Sequence, residues 1–166
     1  MADAEYLKSL IGTTTHESTV VVERGPLTVF AEAVLDRDPI YRNADAAAAA
    51  GFDGIPAPPT YPFVMQHWGR FEELQGPSEG HLDVVSGILG VLLKEGGLIL
   101  HGEQSFHHHR PIVAGDVLEG KGSVVDAYAK ESNGKTMTFI VEETVWRDQA
   151  SGEPVSSTRF NVIHRI

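Results

Sequence analysis

Two groups of side chains in this sequence can do chemistry. The first is Asp36 and Tyr41, which flank Pro39 in the stretch DRDPIYRNADAAAAAGFDGIPAPPTY. A carboxylate at Asp36 can bind or activate water. Tyr41 carries a phenol with an ordinary pKa near 10; it can donate a proton but is a poor base at neutral pH. A plainer reading of the pair is open as well. An aspartate ahead of a proline is ordinary turn chemistry, and the tyrosine can simply pack against a sheet. The second group is HGEQSFHHHR. On a regular strand, His101, Glu103, His107 and His109 share one face and His108 takes the other. His-x-His on a strand can hold zinc or another transition metal, so a cupin-like metal protein is a rival of a different class. The blander alternative is a half-buried strand with histidines along its solvent edge.

These groups need elements to position them. Tyr6, Leu7, Leu10 and Ile11 fit a short amphipathic helix ended by Gly12. TTTHESTVVVERG is rich in β-branched residues and reads as a strand, with His16 on its surface. Leu27, Phe30, Ala31 and Val34 follow helical spacing, which predicts a helix over 26–35. Ala44 to Ala50 suits a helix capped by Asn43 or Asp45 and ended by Gly51. The prolines from Pro56 to Pro59 force extended backbone. A largely apolar helix from Thr60 to Phe71, with Pro62 in its first turn, then becomes the best cover for a sheet. Its Trp68 and His67 line a ligand tunnel on one reading; on the other Trp68 is plain core. Val84 to Leu93 is a helix or a buried strand. From Leu98 onward the reading is β: strands over 98–109, 117–128, 136–146 and 155–166, with Asn133-Gly134 as a hairpin turn. Met137, Phe139, Val141 and Val145 fall on one face. Helices followed by long antiparallel strands give an α+β class.

The chain has 166 residues, with 42% hydrophobic and 22% charged, as expected of an ordinary globular domain. Its net charge of −10 argues against nucleic acid. A local basic patch can still take an anionic coenzyme. Arg110 and Lys121 could meet coenzyme phosphates or be ordinary surface charges. The absence of cysteine removes thiol nucleophiles and Cys-bound zinc, and fits a cytoplasmic setting. No apolar run approaches the roughly 20 residues of a membrane span, so no membrane partner is expected.

The run FAEAVLDRDPIYRNADA resembles the signature of R-specific enoyl-CoA hydratases and MaoC-like dehydratases. That signature is an aromatic, a spacer, Asp-x-Asn-Pro, an aliphatic, His, and a small residue further on. Asp36 falls on its aspartate, Pro39 on its proline, Ile40 on its aliphatic and Ala47 on its small residue. HGEQSFHHHRPIVAGDVLEGKGSVVD is similar to the family's strand–turn–strand, with RPIVAGD at the turn. The resemblance implies a single hot-dog domain over residues 1–166, an antiparallel sheet wrapped around one long helix and usually dimeric. It implies hydration or dehydration between trans-2-enoyl and (R)-3-hydroxyacyl thioesters of CoA or acyl carrier protein, without metal or redox cofactor. It points to Asp36 and Tyr41 as the catalytic positions, and to Ala57, Pro59, Thr60, Tyr61 and Trp68 as substrate contacts.

Three departures stand out. Tyr41 occupies the catalytic His position and Asp38 the Asn position. Where active members read Ala-His-Gly, whose Gly N–H holds the thioester oxygen, this chain reads Ala57-Pro58-Pro59, and proline has no N–H. APPTY instead resembles the substrate-holding half of two-part dehydratases and the substrate-holding subunit of heterodimeric ones. The expectations are therefore a hydratase or dehydratase, or a subunit of one, or else a non-catalytic acyl-binding subunit that needs a catalytic hot-dog partner. A hot-dog thioesterase is a further option, less well matched by the signature.

Overall fold

The computed structural model describes residues 4–65, 69–75 and 82–166. Helix α1 (Ala4–Leu10) leads into strand β1 (Thr14–Val21), followed by α2 (Arg24–Ala33), α3 (Ala44–Ala49), α4 (Pro62–Met65) and α5 (Leu82–Leu93). Four long strands follow: β2 (Leu98–His108), β3 (Val117–Ser132), β4 (Lys135–Asp148) and β5 (Pro154–Arg165). They form one antiparallel sheet in the order β1-β3-β4-β5-β2. This is the expected α+β architecture, and 84–93 resolves to helix. No helix among the described residues is long and apolar enough to cross a membrane.

The helices cover one face of the sheet, here the inner face. Leu7 and Leu10 of α1 and Ile88 and Leu92 of α5 pack on Val124, Ala127 and Ile140 at one end. Leu27, Ala47, Tyr61 and Met65 pack on Val20, Leu118 and Trp146 at the other. Along β4 the buried inner row is Thr138, Ile140, Thr144 and Trp146. Met137, Phe139, Val141 and Val145 do share a face, as alternation requires, but it is the face away from the helices. The apolar pattern of β4 therefore marks its outer side, and the inner side carries much of the polar content.

Local capping follows the residue types. Asn43 accepts the N–H groups of Asp45 and Ala46 at 2.8 and 3.1 Å, capping α3, and Gly51 leaves it at φ +88°. Helix α2 starts two residues before the predicted Pro26 and stops at Ala33. Leu35 then takes φ +62°, an unusual left-handed position for leucine, and turns the chain into Asp36.

Three expectations are corrected. The helix predicted over 60–71 does not reach Phe71. It is helical at Pro62–Met65, and Gly69 then lies at φ +74° while Arg70 bridges Val20. The Val21 N–H bonds the Gly69 carbonyl at 2.9 Å. The open edge of β1 thus captures this backbone, and its unpaired groups outweigh helix propensity. Gln66, His67 and Trp68 lie outside the described residues. The twelve-residue helix α5 lies against the sheet, with α1 and α4 packed on it as well. Second, a bulge between His101 and Gln104 inserts one residue into β2. His101 pairs with Val162 and His107 with Ser157, which are five residues apart, so the two histidines point to opposite faces. Among the described residues, no three acidic or imidazole side chains gather as a metal site. Third, His16 is not a surface residue. A bulge between Thr14 and His16 turns it inward opposite Gly122, leaving its side chain 12% exposed.

Gly120 and Gly122 are what allow β3 to lie under large inner side chains. A Cβ on Gly120 would collide with the buried Trp146 ring, and one on Gly122 with the His16 ring. Gly120→Ala should destabilise the protein by about 1–3 kcal/mol through overpacking. Gly87→Ala in α5, where a Cβ meets nothing, should instead stabilise by about 0.5–1 kcal/mol. Urea denaturation of both variants checks the contrast.

Candidate functional site

The turn RPIVAGD builds one wall of a groove. Arg110 donates to both Asp116 carboxylate oxygens, at 2.7 and 3.2 Å, and to Asp148 at 3.1 Å. The Asp116 carboxylate also accepts the Val113 N–H at 3.0 Å. Its hydrogen bonds with Asp116, reinforced by the charges of Asp116 and Asp148, hold the guanidinium pKa above its usual range despite burial. Arg110 is thus committed to the turn rather than free for a phosphate, and Lys121 pairs with Glu17 at 2.6 Å. The tightened turn presents Ile112 and Ala114 to the segment before the prolines. The Ala57 N–H bonds the Ile112 carbonyl and the Ala114 N–H the Ile55 carbonyl, each at 2.8 Å.

His108 fixes the other end of this segment. Its Nε2 lies 2.9 Å from the Pro59 carbonyl, which can only accept, so Nε2 carries the proton. Nδ1 then accepts from the Ser156 hydroxyl at 3.1 Å when the ring is neutral. Between this anchored proline run and the Pro39–Tyr41 3-10 turn lies a groove of about 370 Å³. Tyr41, Ala57, Pro58, Pro59, His109 and Ile112 are among its lining residues.

Asp36 and Tyr41 meet in the structure. The Asp36 carboxylate accepts the Asp38 N–H at 3.0 Å. Asp38 in turn caps the 3-10 turn through the Ile40 N–H at 3.0 Å. Burial, then the neighbouring charges of Asp36 and Asp38, push the Tyr41 phenol above its ordinary value. Tyr41 is therefore a protonated donor across the neutral range.

The helix start offers little to an oxyanion. The Tyr61 N–H bonds the Pro58 carbonyl at 2.9 Å. Pro58, Pro59 and Pro62 have no N–H. Among the described residues of this corner, Thr60 keeps the unspent backbone donor, and its side chain is exposed. Tyr61 is a core residue, 1% exposed, with its ring 5.5 Å from that of Phe30 in an edge-on arrangement. Of the predicted contacts, Ala57 and Pro59 line the groove, Tyr61 lies in the core behind it, and Trp68 is outside the described residues. Sequence reasoning missed His108 as the anchor of the proline run; its place opposite Ser156 becomes visible only through the β2 bulge.

A profile of the FAS1-like dehydratase domain region matches residues 9–158. The chain belongs to this FAS1-like dehydratase-region family. Its relatives include a UPF0336 protein of Saccharopolyspora erythraea, 33% identical over 144 residues, which covers 87% of this chain and 81% of that protein. Another, from a Parafrankia species, is 35% identical over 144 residues, covering 87% and 83%. The ChsH1-ChsH2 complex from Mycobacterium tuberculosis contains a chain that superposes with a TM-score of 0.74 at 23% identity, over 96% of this chain and 89% of that one. The HadBC (3R-hydroxyacyl-ACP dehydratase) complex of the same organism gives 0.65 at 20% identity, over 93% and 96%. The R-hydratase PhaJ1 from Pseudomonas aeruginosa gives 0.57 at 19% identity, over 94% and 84%. These structures establish the MaoC-like hot-dog fold that the sequence resemblance implied.

Within this family member, Tyr61 offers a pH test. Burial, helped by the Glu23 charge, pushes its phenol up to about 12. The folded state therefore holds this proton more tightly than the unfolded chain, whose tyrosines titrate near 10. This contribution to stability is intact below about pH 10 and is lost as the pH rises toward about 12. The buried hydroxyl has no hydrogen-bond partner among the described residues. Tyr61→Phe should change stability at neutral pH by less than about 1 kcal/mol and should flatten the alkaline fall, read from denaturation midpoints across that window.

Proposed function

We propose that this chain is the substrate-holding subunit of a 3-hydroxyacyl-thioester dehydratase, completed by a catalytic hot-dog partner. The carrying observation is the Tyr41 phenol: buried and raised in pKa beside the Asp36 and Asp38 carboxylates, at the position where active members place a histidine. Adding water to an enoyl thioester requires a base that takes a proton from water as its oxygen attacks the β-carbon. It also requires a donor for the charge gathering on the thioester oxygen, and a proton returned to the α-carbon. Tyr41 cannot serve as that base at neutral pH, and the Asp36 carboxylate already accepts the Asp38 N–H. The proline run removes the N–H that would hold the oxygen, a donor worth about 3 kcal/mol in such sites.

The groove suits holding rather than reacting. Its wall of Ala57, Pro58, Pro59 and Ile112 is apolar and anchored at both ends, which keeps a bound acyl chain ordered at small entropic cost. The partner supplies the aspartate, the histidine and the oxyanion donor. The heterodimeric organisation named for ChsH1-ChsH2 and HadBC supports this reading.

The chain alone should hydrate crotonyl-CoA at least about 100-fold more slowly than when mixed with a hot-dog partner carrying both Asp and His. Sedimentation should show the pair as a dimer or larger. Asp36→Asn should leave the mixed activity within about threefold, because catalysis resides in the partner. Rapid turnover by the lone chain that Asp36→Asn abolishes would instead make this chain a complete enzyme.

A further inference from the structure

The inner face of the sheet carries a polar belt between its two apolar ends. Cross-strand register lays the belt out. His16 faces Gly122, Gly122 faces Thr144, and Thr144 faces Thr158; alongside, Glu142 faces Phe160, which faces Gln104. Over this belt lies a cavity of about 290 Å³, to which Pro62 and Phe63 of α4 and Val85 of α5 add apolar surface.

Four buried polar atoms on residues that line this one cavity lack a hydrogen-bond partner among the described residues: His16 Nε2, Ser18 Oγ, Gln104 Nε2 and Thr158 Oγ1. Buried polar groups in folded proteins are nearly always paired, and an unpaired one costs more than a hydrogen bond gains. A structural core at this place would be served by valine and leucine. Glu142 sharpens the point. Burial works to raise its pKa, yet hydrogen bonds from His16 and Thr15 overcome that and hold the carboxyl below the usual range. His16 Nδ1 lies 3.3 Å from this carboxylate. A carboxylate accepts, so Nδ1 carries the proton, and in the neutral ring Nε2 is an acceptor. Gln104 Nε2 is a donor, and the Ser18 and Thr158 hydroxyls can act either way.

We propose that this cavity is a binding site for an acyl group that carries a hydroxyl beyond the reacting carbons, gripped by His16 Nε2, Gln104 and Thr158 as complementary partners. A hydroxyl both gives and takes a hydrogen bond, which matches this mixed set; a plain alkyl chain leaves every one of these atoms unpaired. Sites built to hydrogen-bond a substrate hydroxyl reject the analogue that lacks it far more strongly than apolar pockets discriminate by size. Pro62 and Phe63 follow directly in sequence on the proline run that walls the outer groove. The inference rests on the acyl-thioester reading above and adds to it the chemistry of the chain.

Calorimetric titration of the full chain tests it. The probes are octanoyl-CoA and a set of hydroxyoctanoyl-CoA thioesters, hydroxylated in turn at each chain carbon beyond the reacting ones. At least one hydroxylated thioester should bind about tenfold tighter than octanoyl-CoA, the worth of two further hydrogen bonds. The Thr158→Val/Gln104→Leu double variant should melt no lower than the wild type, because it removes buried polar atoms that the protein does not pair. It should bind both kinds of thioester alike. Thr158→Val alone, a hydroxyl for a methyl, serves the same purpose if the double variant misfolds. Equal binding of plain and hydroxylated thioesters by the wild type would mean that water satisfies the belt, overturning this site and leaving the acyl-thioester reading intact. A preference that survives the substitutions would overturn the assignment to this cavity. Binding of neither thioester would overturn the acyl-thioester reading and this inference with it.

Discussion

Arg110 grips Asp116 with two parallel hydrogen bonds and Asp148 with a third, and the groove wall hangs from that contact. Charge-assisted, bidentate pairs of this kind are short, directional and strong. Asp116 is 12% exposed, so removing the guanidinium would leave a mostly buried carboxylate uncompensated. The same carboxylate holds the Val113 N–H and so sets the shape of the turn. The turn positions Ile112 and Ala114, which pair with the backbone at Ala57 and Ile55. A side-chain interaction on the surface therefore fixes the place of a proline run some fifty residues earlier in the chain. His108, reaching from β2 to the Pro59 carbonyl, closes the frame from the other side.

That frame explains a trade visible in the chemistry. Prolines make the wall stiff at no cost in lost hydrogen bonds elsewhere, since their fixed φ suits extended backbone. The same residues leave the wall without amide donors at those positions. Tyr41 shows the parallel trade at the opposite wall. It fills space, but burial beside the Asp36 and Asp38 carboxylates makes it less able to shed a proton than a free tyrosine. Rigidity and chemical reactivity draw on the same few positions here, and both walls favour the first.

Much of the fold was legible in the residue pattern. β-branched runs, Asn133-Gly134 and the Asn43 cap act through local sterics and hydrogen bonds, so their effects follow from neighbours in sequence. The meeting of Asp36 and Tyr41 was equally local. What was not legible depended on non-local capture or on single inserted residues. Gly69 left the helical path because β1 offered unpaired backbone groups far away in sequence. The bulges in β1 and β2 each reversed an alternation that was sound up to that residue, turning His16 inward and parting His101 from His107. Glu142 was the readable hint of the inner belt: a carboxylate one residue from Val141 and two from Ile140 in a strongly apolar strand demands partners. The pairing of Gly120 and Gly122 beneath Trp146 and His16 was a second.

Gln75 uses its amide as a strand would use a peptide group, accepting the Thr19 N–H at 2.9 Å and donating to the Thr19 carbonyl at 2.6 Å. With Gly69 and Arg70 beside it, it seals the outer margin of β1. The margin of β2 keeps Leu98 and Leu100 in solvent, at 54% and 37% exposure. A sheet with two adhesive margins can add units without end and grow into a fibre; a sheet with one can only close on a single neighbour. One side-chain amide thereby closes one of the two margins through which such a sheet could grow.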